Sequence, residues 1–418
     1  MQTGPLRILA DANIPFADAA FSRYGAVRLA PGRAIDRAAA AEADVLLVRS
    51  VTPVGAALVA GTPVRFVGTA TAGVDHVAQG ELAALGVAFA AAPGSNADSV
   101  ADWAVASLLA LAAKRGEALA GRTLGVVGVG AVGSRVAPRA RALGMRVVAS
   151  DPPLAARRAA AGAAHGLVPF EAVLAEADAL TLHTPLTRAG ESAHPTARFV
   201  DAGALARLRR GAWVLNAARG GVVDGAALAA ALDAGHVAAA ALDVWEGEPA
   251  PDPGLVARVD LASAHTAGYA FDGKVRGTAM LQAALRRWLA AGGHALPAPW
   301  DPEAVLAPAA PLVAEPPPPP DTGSGPGQAL DPAAAAAWLD ALARQACDVR
   351  ADDARFRAAL AGAPDRDAWA AAFAELRRTY PRRREMARYA VGAAVPEALA
   401  PAVSDGLGMG GGMGDAAP

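Results

Sequence analysis

Three residues carry groups suited to moving a proton and gripping an anion, and each stands just past an apolar run. Arg219 follows residues 212–218, Glu248 lies in the loop after 237–245, and His265 comes directly after 259–264. A guanidinium is a planar fork that holds a carboxylate at two points, so Arg219 is suited to clamp and orient an acid. Histidine titrates nearest neutrality, so His265 can take the proton of an alcohol as hydride departs and return it in reverse. A carboxylate bonded to the far ring nitrogen favours the protonated imidazole and fixes the ring, and Glu248 fits that part. Together the three allow hydride chemistry on a hydroxy acid. Taken singly, His265 also reads as a satisfied core histidine, and Arg219, beside Gly220 and Gly221, as a turn residue facing water.

The elements that must position them come next. If the three apolar runs are strands of one parallel sheet, their carboxyl ends share an edge, which is where open α/β folds hold ligands. Upstream, Thr123–Val127 reads as a buried strand, Gly128, Gly130 and Gly133 form G-x-G-x-x-G, and 134–143 has helical spacing ended by Gly144. Residues 145–150 read as a second strand that delivers Asp151. The first glycine allows the tight turn, the second lets backbone approach a pyrophosphate, and the third lets helix pack on strand, leaving phosphates at the helix amino end. Asp151 follows Gly133 by 18 positions, near the ~20 expected of a carboxylate that holds ribose hydroxyls. It would repel a 2′-phosphate, which favours NAD over NADP. The alternative for this stretch is a flavodoxin-like sheet that holds no dinucleotide.

Composition narrows the class. A chain of 418 residues exceeds the ~250–300 at which single cores stop growing, so two or three domains are expected. Hydrophobic residues make up 54%, much of it alanine, so helices form easily and side chains are small. A net charge of −2 and a pI near 6.4, with no long basic run, point away from nucleic acid and anionic membrane as partners. Cys347 is the only cysteine, which excludes an intrachain disulfide and fits a cytoplasmic location. The first 15 residues carry no secretory pattern, no apolar segment reaches membrane-spanning length, and no metal-ligand spacing is present, so no metal is expected.

Along the chain, residues 1–95 alternate short apolar runs (6–10, 45–48, 64–68, 87–91) with alanine-rich helical stretches, as expected of a small α/β substrate-binding domain. Its runs lead into Arg49, Ser50, Thr69 and Thr71, and a sheet facing the dinucleotide sheet would put those groups opposite the cofactor. Residues 96–269 are expected to form the dinucleotide domain, with 270–296 a candidate to return to the first. A helix over about 98–114 is apolar on most of its surface and is expected to be packed between elements. Another strand at 179–184 ends in His183-Thr184-Pro185, and Asp224 is placed to cap a helix closed by Gly235. Residues 297–330, with Pro316 to Pro320 in succession, read as a semi-rigid linker. Residues 331–405 are rich in helix formers and arginine and short enough to need a partner surface, in this chain or a second one. From Gly406 to the end the chain is glycine-rich and expected to be disordered.

The segments Asn216-Ala217-Ala218-Arg219-Gly220, Leu242-Asp243-Val244-Trp245-Glu246-Gly247-Glu248-Pro249 and His265-Thr266-Ala267-Gly268 resemble the signatures of D-isomer-specific 2-hydroxyacid dehydrogenases. More narrowly, Arg49-Ser50-Val51-Thr52, the run from Phe66 to His76, Asp151-Pro152-Pro153, Gly268-Tyr269, Asp348 to Asp353 and Arg382 to Glu385 resemble one branch of that family. Members of that branch oxidise a phosphorylated four-carbon 2-hydroxy acid with NAD on the route to pyridoxal 5′-phosphate. The resemblance implies an α/β fold of two doubly wound parallel-sheet domains, a flavodoxin-like substrate domain and a Rossmann domain, with a small C-terminal α+β domain that makes a homodimer. It assigns Arg219, Glu248 and His265 to catalysis and Ser50, Thr71 and Tyr269 to the substrate. To NAD it assigns the glycine loop with Ala131 and Val132, then Asp151, Thr184, Ala217, Ala218, Asp243 and Gly268, with Asp243 reaching the nicotinamide amide. The phosphate could be met by Lys274 and Arg276 or by Arg382 to Arg384, the latter trio reading more readily as a solvated basic face. His76, His183 and His194 receive no role. Two other readings stay open: a dehydrogenase for glycerate, 3-phosphoglycerate or lactate, and a noncatalytic NAD-sensing regulator.

Overall fold

In the first unit, five short apolar segments pair in parallel: β1 (Leu6–Asp11), β2 (Gly25–Ala30), β3 (Val45–Val48), β4 (Phe66–Thr69) and β5 (Ala88–Ala91). The computed structural model describes residues 5–320, 330–392 and 395–410. Its two compact units are Met1–Asn96 with Ala270–Ala310, and Ala97–Tyr269 with Pro311–Pro418. The strand order of the first unit is β2-β1-β3-β4-β5, the flavodoxin-type doubly wound order. β3 and β4 are buried throughout, because helices cover both faces of an all-parallel sheet and leave no polar face to alternate with. β2 was not expected as a strand. It lies at the sheet edge with half its positions facing water, so its apolar signal is diluted, and Gly25 lets it press against Leu6, whose carbonyl oxygen a Cβ would approach to 2.0 Å.

The helix Phe271–Ala291 also packs in this unit, putting Val275, Leu281 and Leu285 into one core with Ile8, Phe21, Leu47 and Phe66. Trp300 and Leu306 are buried in the same core. The stretch expected as a linker from residue 297 is therefore folded over its first part, held by two large apolar side chains that composition alone outweighed.

The second unit carries six parallel strands, β6 (Thr123–Val127), β7 (Arg146–Ser150), β8 (Ala179–Leu182), β9 (Ala212–Asn216), β10 (Val237–Leu242) and β11 (Leu261–Ala262). Their order is β11-β10-β9-β8-β6-β7. The winding direction reverses at β6, between β7 and β8, and the crevice at such a reversal is where doubly wound sheets take nucleotides. The helix Ala97–Arg115 has every residue from Ala97 to Ala112 except Asp98 buried. A helix apolar all round must be covered all round, and the C-terminal region supplies part of that cover.

That region consists of helices Pro332–Ala343, Val349–Ala361 and Arg366–Arg378 and a parallel ladder of β12 (Leu312–Ala314) with β13 (Tyr389–Val391). Trp338, Leu342 and Met386 share one core with Trp103, Leu108 and Leu111. The appendage thus finds its partner surface in its own chain. β12 lies inside the stretch expected as linker, and residues 321–329 lie outside the described residues. The disordered tail expected from Gly406 is corrected for 406–410: Leu407 and Met409 are fully buried, two apolar anchors among glycines. Residues 411–418 lie outside the described residues.

Candidate active site

The register of the second sheet brings the three candidate catalytic residues to one edge. Asn216, the last residue of β9, pairs with Leu242 of β10, and Leu242 pairs with Ala262 of β11, so the three strands end in one row. Arg219, Glu248 and His265 all lie in the short segments that leave this row.

Trp245 ties these segments together. Its backbone N–H donates to Glu248 Oε1 at 2.7 Å, and its indole Nε1–H donates to the Ser263 carbonyl at 2.8 Å, two residues before the histidine. Its own backbone lies so close to Gly220 that a Cβ there would stand 1.9 Å from the Trp245 carbonyl carbon. Only glycine fits that approach, which explains the Arg-Gly pair better than a turn facing water. Arg219 is partly buried, its Nη1 donating to the Ala218 carbonyl at 2.8 Å, while the Asn216 side chain donates to the Arg219 carbonyl at 2.9 Å.

His265 Nδ1 stands 2.8 Å from Glu248 Oε2. Burial pushes the Glu248 carboxyl upward, but the adjoining imidazole, by charge and by hydrogen bond, and the Trp245 N–H outweigh it, and the group is held below its ordinary range. Glu248 is therefore an anion that accepts from Nδ1, leaving Nε2 as the ring's other proton site. His265 sits at φ +56°, the left-handed region that costs a non-glycine residue about 1–2 kcal/mol. Asp243 pins this turn. Its carbonyl accepts from the His265 N–H at 2.7 Å, Oδ1 accepts from the Thr266 N–H at 2.7 Å and from the Ser263 hydroxyl at 2.7 Å, and Oδ2 accepts from the Ala267 N–H at 3.0 Å. Burial raises the Asp243 carboxyl above its ordinary range despite these bonds and the nearby histidine. Both its oxygens hold the histidine's turn, a role in addition to the cofactor contact that the resemblance implies for it.

The glycine loop has a geometry compatible with the roles its spacing implied. Gly128 has φ +87°, and a Cβ there would stand 2.6 Å from the His183 carbonyl oxygen. A Cβ on Gly133 would stand 2.0 Å from the Gly128 carbonyl oxygen, whereas one on Gly130 would meet nothing within 4 Å, leaving open space beside the backbone. The helix Gly133–Ala142 begins here, and no side chain caps it at Val132. Asp151 Oδ2 accepts from the Val129 N–H at 2.8 Å, and Oδ1 accepts from the Leu154 N–H at 2.8 Å, capping the helix Pro152–Ala160. At the end of β8, Thr184 Oγ1 is buried with no partner among the described residues. A glycine cradle over open space, an acid against the loop and an orphaned hydroxyl are the groups a dinucleotide's phosphates and sugars would use.

Tyr269 lies four residues past the histidine, and its hydroxyl accepts from Arg377 Nε at 2.9 Å. Two of the arginine trio are not on a solvated face: Arg382 is exposed, but Arg384 is buried, and Arg383 reaches inward to donate to the Ser99 hydroxyl at 2.8 Å and to the Ala267 carbonyl. In the first unit, Val48 and Thr69 pair in register, so Ser50 and Thr71 each lie two residues past paired strand ends. The Thr71 and Thr69 hydroxyl oxygens are 2.8 Å apart, and His76 Nε2 is 2.9 Å from Thr69 Oγ1. This cluster gives His76 a place that its spacing from Thr71 could have signalled.

Comparison with known proteins bears on this geometry. The family described as D-isomer specific 2-hydroxyacid dehydrogenase, NAD binding domain, matches residues 97–267, and a domain of unknown function matches 328–406. The chain is 52% identical to an erythronate-4-phosphate dehydrogenase of Salinibacter ruber over 97% of this chain and 98% of that one. It is 47% identical to the enzyme of that name from Pseudomonas aeruginosa, over 91% and 93%. The fold is similar to that of D-lactate dehydrogenase from Aquifex aeolicus, solved with NAD and lactic acid, at a TM-score of 0.57 and 20% identity, over 68% of this chain and 96% of that one.

Proposed function

Because the chain belongs to the erythronate-4-phosphate dehydrogenases, within the D-isomer specific 2-hydroxyacid dehydrogenases, we propose that it oxidises 4-phospho-D-erythronate to (R)-3-hydroxy-2-oxo-4-phosphooxybutanoate on the route to pyridoxal 5′-phosphate. When bound, NAD supplies the hydride acceptor. Gly128, Gly130, Ala131, Val132 and Gly133 would hold it, with Asp151, Thr184, Ala217, Ala218, Asp243 and Gly268. The observation that carries the reading is the 2.8 Å pair of His265 Nδ1 with Glu248, on the sheet edge that also bears Arg219.

His265 Nε2 takes the proton of the C2 hydroxyl as that carbon is oxidised, and the imidazolium that results is matched by the Glu248 anion beside Nδ1. Arg219 grips the substrate carboxylate and fixes which face of C2 is presented. Ser50, Thr71 and Tyr269 are assigned to substrate contact by the family resemblance. That resemblance also supports a homodimer, and the lone Cys347 supports a reducing, cytoplasmic location.

The test is NADH formation from NAD with a panel of 2-hydroxy acids: 4-phospho-D-erythronate, 3-phosphoglycerate, glycerate and lactate. The phosphorylated four-carbon acid should give the highest kcat/KM. A better rate with another acid would reassign the substrate, and no NADH with any of them would favour a regulator.

A further inference from the structure

The C-terminal region contributes a residue beside the catalytic turn that no motif singles out. Arg377 lies in the last turn of the helix Arg366–Arg378. Its Nε donates to the Tyr269 hydroxyl at 2.9 Å, and its guanidinium carbon stands 5.4 Å from the centre of the Tyr269 ring. Tyr269 is itself tied to the histidine's turn, its N–H donating to the Thr266 carbonyl at 2.9 Å. On another side Tyr380 meets it edge to face at 5.8 Å between centroids, with the Tyr380 hydroxyl anchored on Asp352 at 2.8 Å. Arg377 is partly buried and close enough to Glu248 to help keep that carboxylate ionised.

We infer that Arg377 is a positioning residue of the dehydrogenase site, fixing the Tyr269 hydroxyl so that its proton is directed to an anionic oxygen of the substrate. An arginine can only donate, so in this bond the phenol oxygen accepts, and the phenol's single proton goes to a different acceptor. Carboxylate and phosphate oxygens are acceptors only, and a charged donor makes the stronger kind of bond. The guanidinium beside the ring adds a second constraint on its plane. The C-terminal region then shapes substrate recognition from within the same chain. This inference rests on the dehydrogenase reading and deepens it.

The experiment is a double-mutant cycle on the full-length enzyme, comparing wild type, Arg377→Met, Tyr269→Phe and the double variant with 4-phospho-D-erythronate and NAD. Methionine keeps much of the arginine's apolar stem, which guards the packing of the helix. Each single variant should raise KM by ~10-fold or more with kcat changed less than ~3-fold, and NAD affinity should hold within ~2-fold, since the pair acts on substrate. The double variant should be no worse than the worse single variant by more than ~2-fold, because the two residues act as one device. An unchanged KM in Arg377→Met, or losses that multiply in the double variant, would overturn the inference. If Arg377→Met loses its cooperative thermal transition, Arg377→Lys takes its place in the cycle, keeping charge without the fork and with the same outcomes expected. Absence of turnover by wild type would sink the functional reading together with this one, whereas an active wild type with an indifferent Arg377→Met would sink this one alone.

Discussion

Glu248 bridges the turn that bears His265 and its support: one carboxylate oxygen faces His265 Nδ1 at 2.8 Å and the other takes the Trp245 N–H at 2.7 Å. The ring is therefore oriented by an anion that is itself held in place. Glu248→Gln keeps the shape and removes the charge that matches the imidazolium, so kcat should fall by ~10-fold to ~100-fold. His265→Asn removes the proposed base and should cost ~100-fold or more. NAD affinity, read by fluorescence titration, should hold within ~2-fold in both, and a parallel loss of NAD binding would contradict these roles. The depressed carboxyl range of Glu248 means its anion persists at every pH above the ordinary carboxylate value and is lost only as pH falls through the lower folded value.

Asp151 joins the glycine loop to the helix it caps. Asp151→Asn can keep the cap, since asparagine caps as well as aspartate, while removing the charge that would repel a 2′-phosphate. The ratio of kcat/KM for NAD over NADP should drop by ~10-fold or more, about 1.4 kcal/mol of discrimination. An unchanged ratio would show that the acid does not face the ribose.

His183 follows β8, with Nε2 at 3.1 Å from the Thr181 hydroxyl and Nδ1 buried with no partner among the described residues. Burial pushes its pKa down to about 4. Between the ordinary ~6.5 and that value the unfolded chain binds the extra proton, so stability is lost as pH falls through this window. The loss attributable to His183 between pH ~7 and ~5 is about 2 kcal/mol. Urea unfolding of the NAD-free protein at both pH values should show His183→Gln losing less stability than wild type by that amount. Equal losses would mean the ring is not shielded.

Cys347 is buried beside Arg383, and burial pushes its thiol up to about 12 in spite of that neighbour. The thiolate is the reactive form, so iodoacetamide at pH ~8 should leave the native protein unlabelled and modify it fully once unfolded. Rapid labelling of the native chain would contradict the burial of this residue.

The parts of this molecule that could be read without coordinates share a physical reason. Thr123–Val127, Ala212–Asn216 and Val237–Leu242 are buried on both faces, so they stand out as unbroken apolar runs, and the charged or polar residues that follow them mark strand ends. Gly128 and Gly133 report on contacts within a few residues and an adjoining strand, so the spacing of the loop carried its geometry. Trp245, Asp243 and Gly220 act through partners on neighbouring strands, and nothing in their local spacing says which. The edge strand β2 and the docking of Trp338 against the helix Ala97–Arg115 were hidden for a similar reason, since exposure and partner choice are set by tertiary neighbours. The left-handed backbone of His265 has no sequence signal, because histidine takes that conformation only where its surroundings impose it.

Arg383 grips the Ala267 carbonyl from 116 positions further along the chain. A ribosome makes a chain from its amino end, and domains fold as they emerge, so the nucleotide sheet can assemble well before this arginine exists. During that interval the turn bearing the histidine lacks its outer brace. The turn gains that brace only once the arginine has been made and has docked, so a chain cut short before residue 383 would carry the histidine without it.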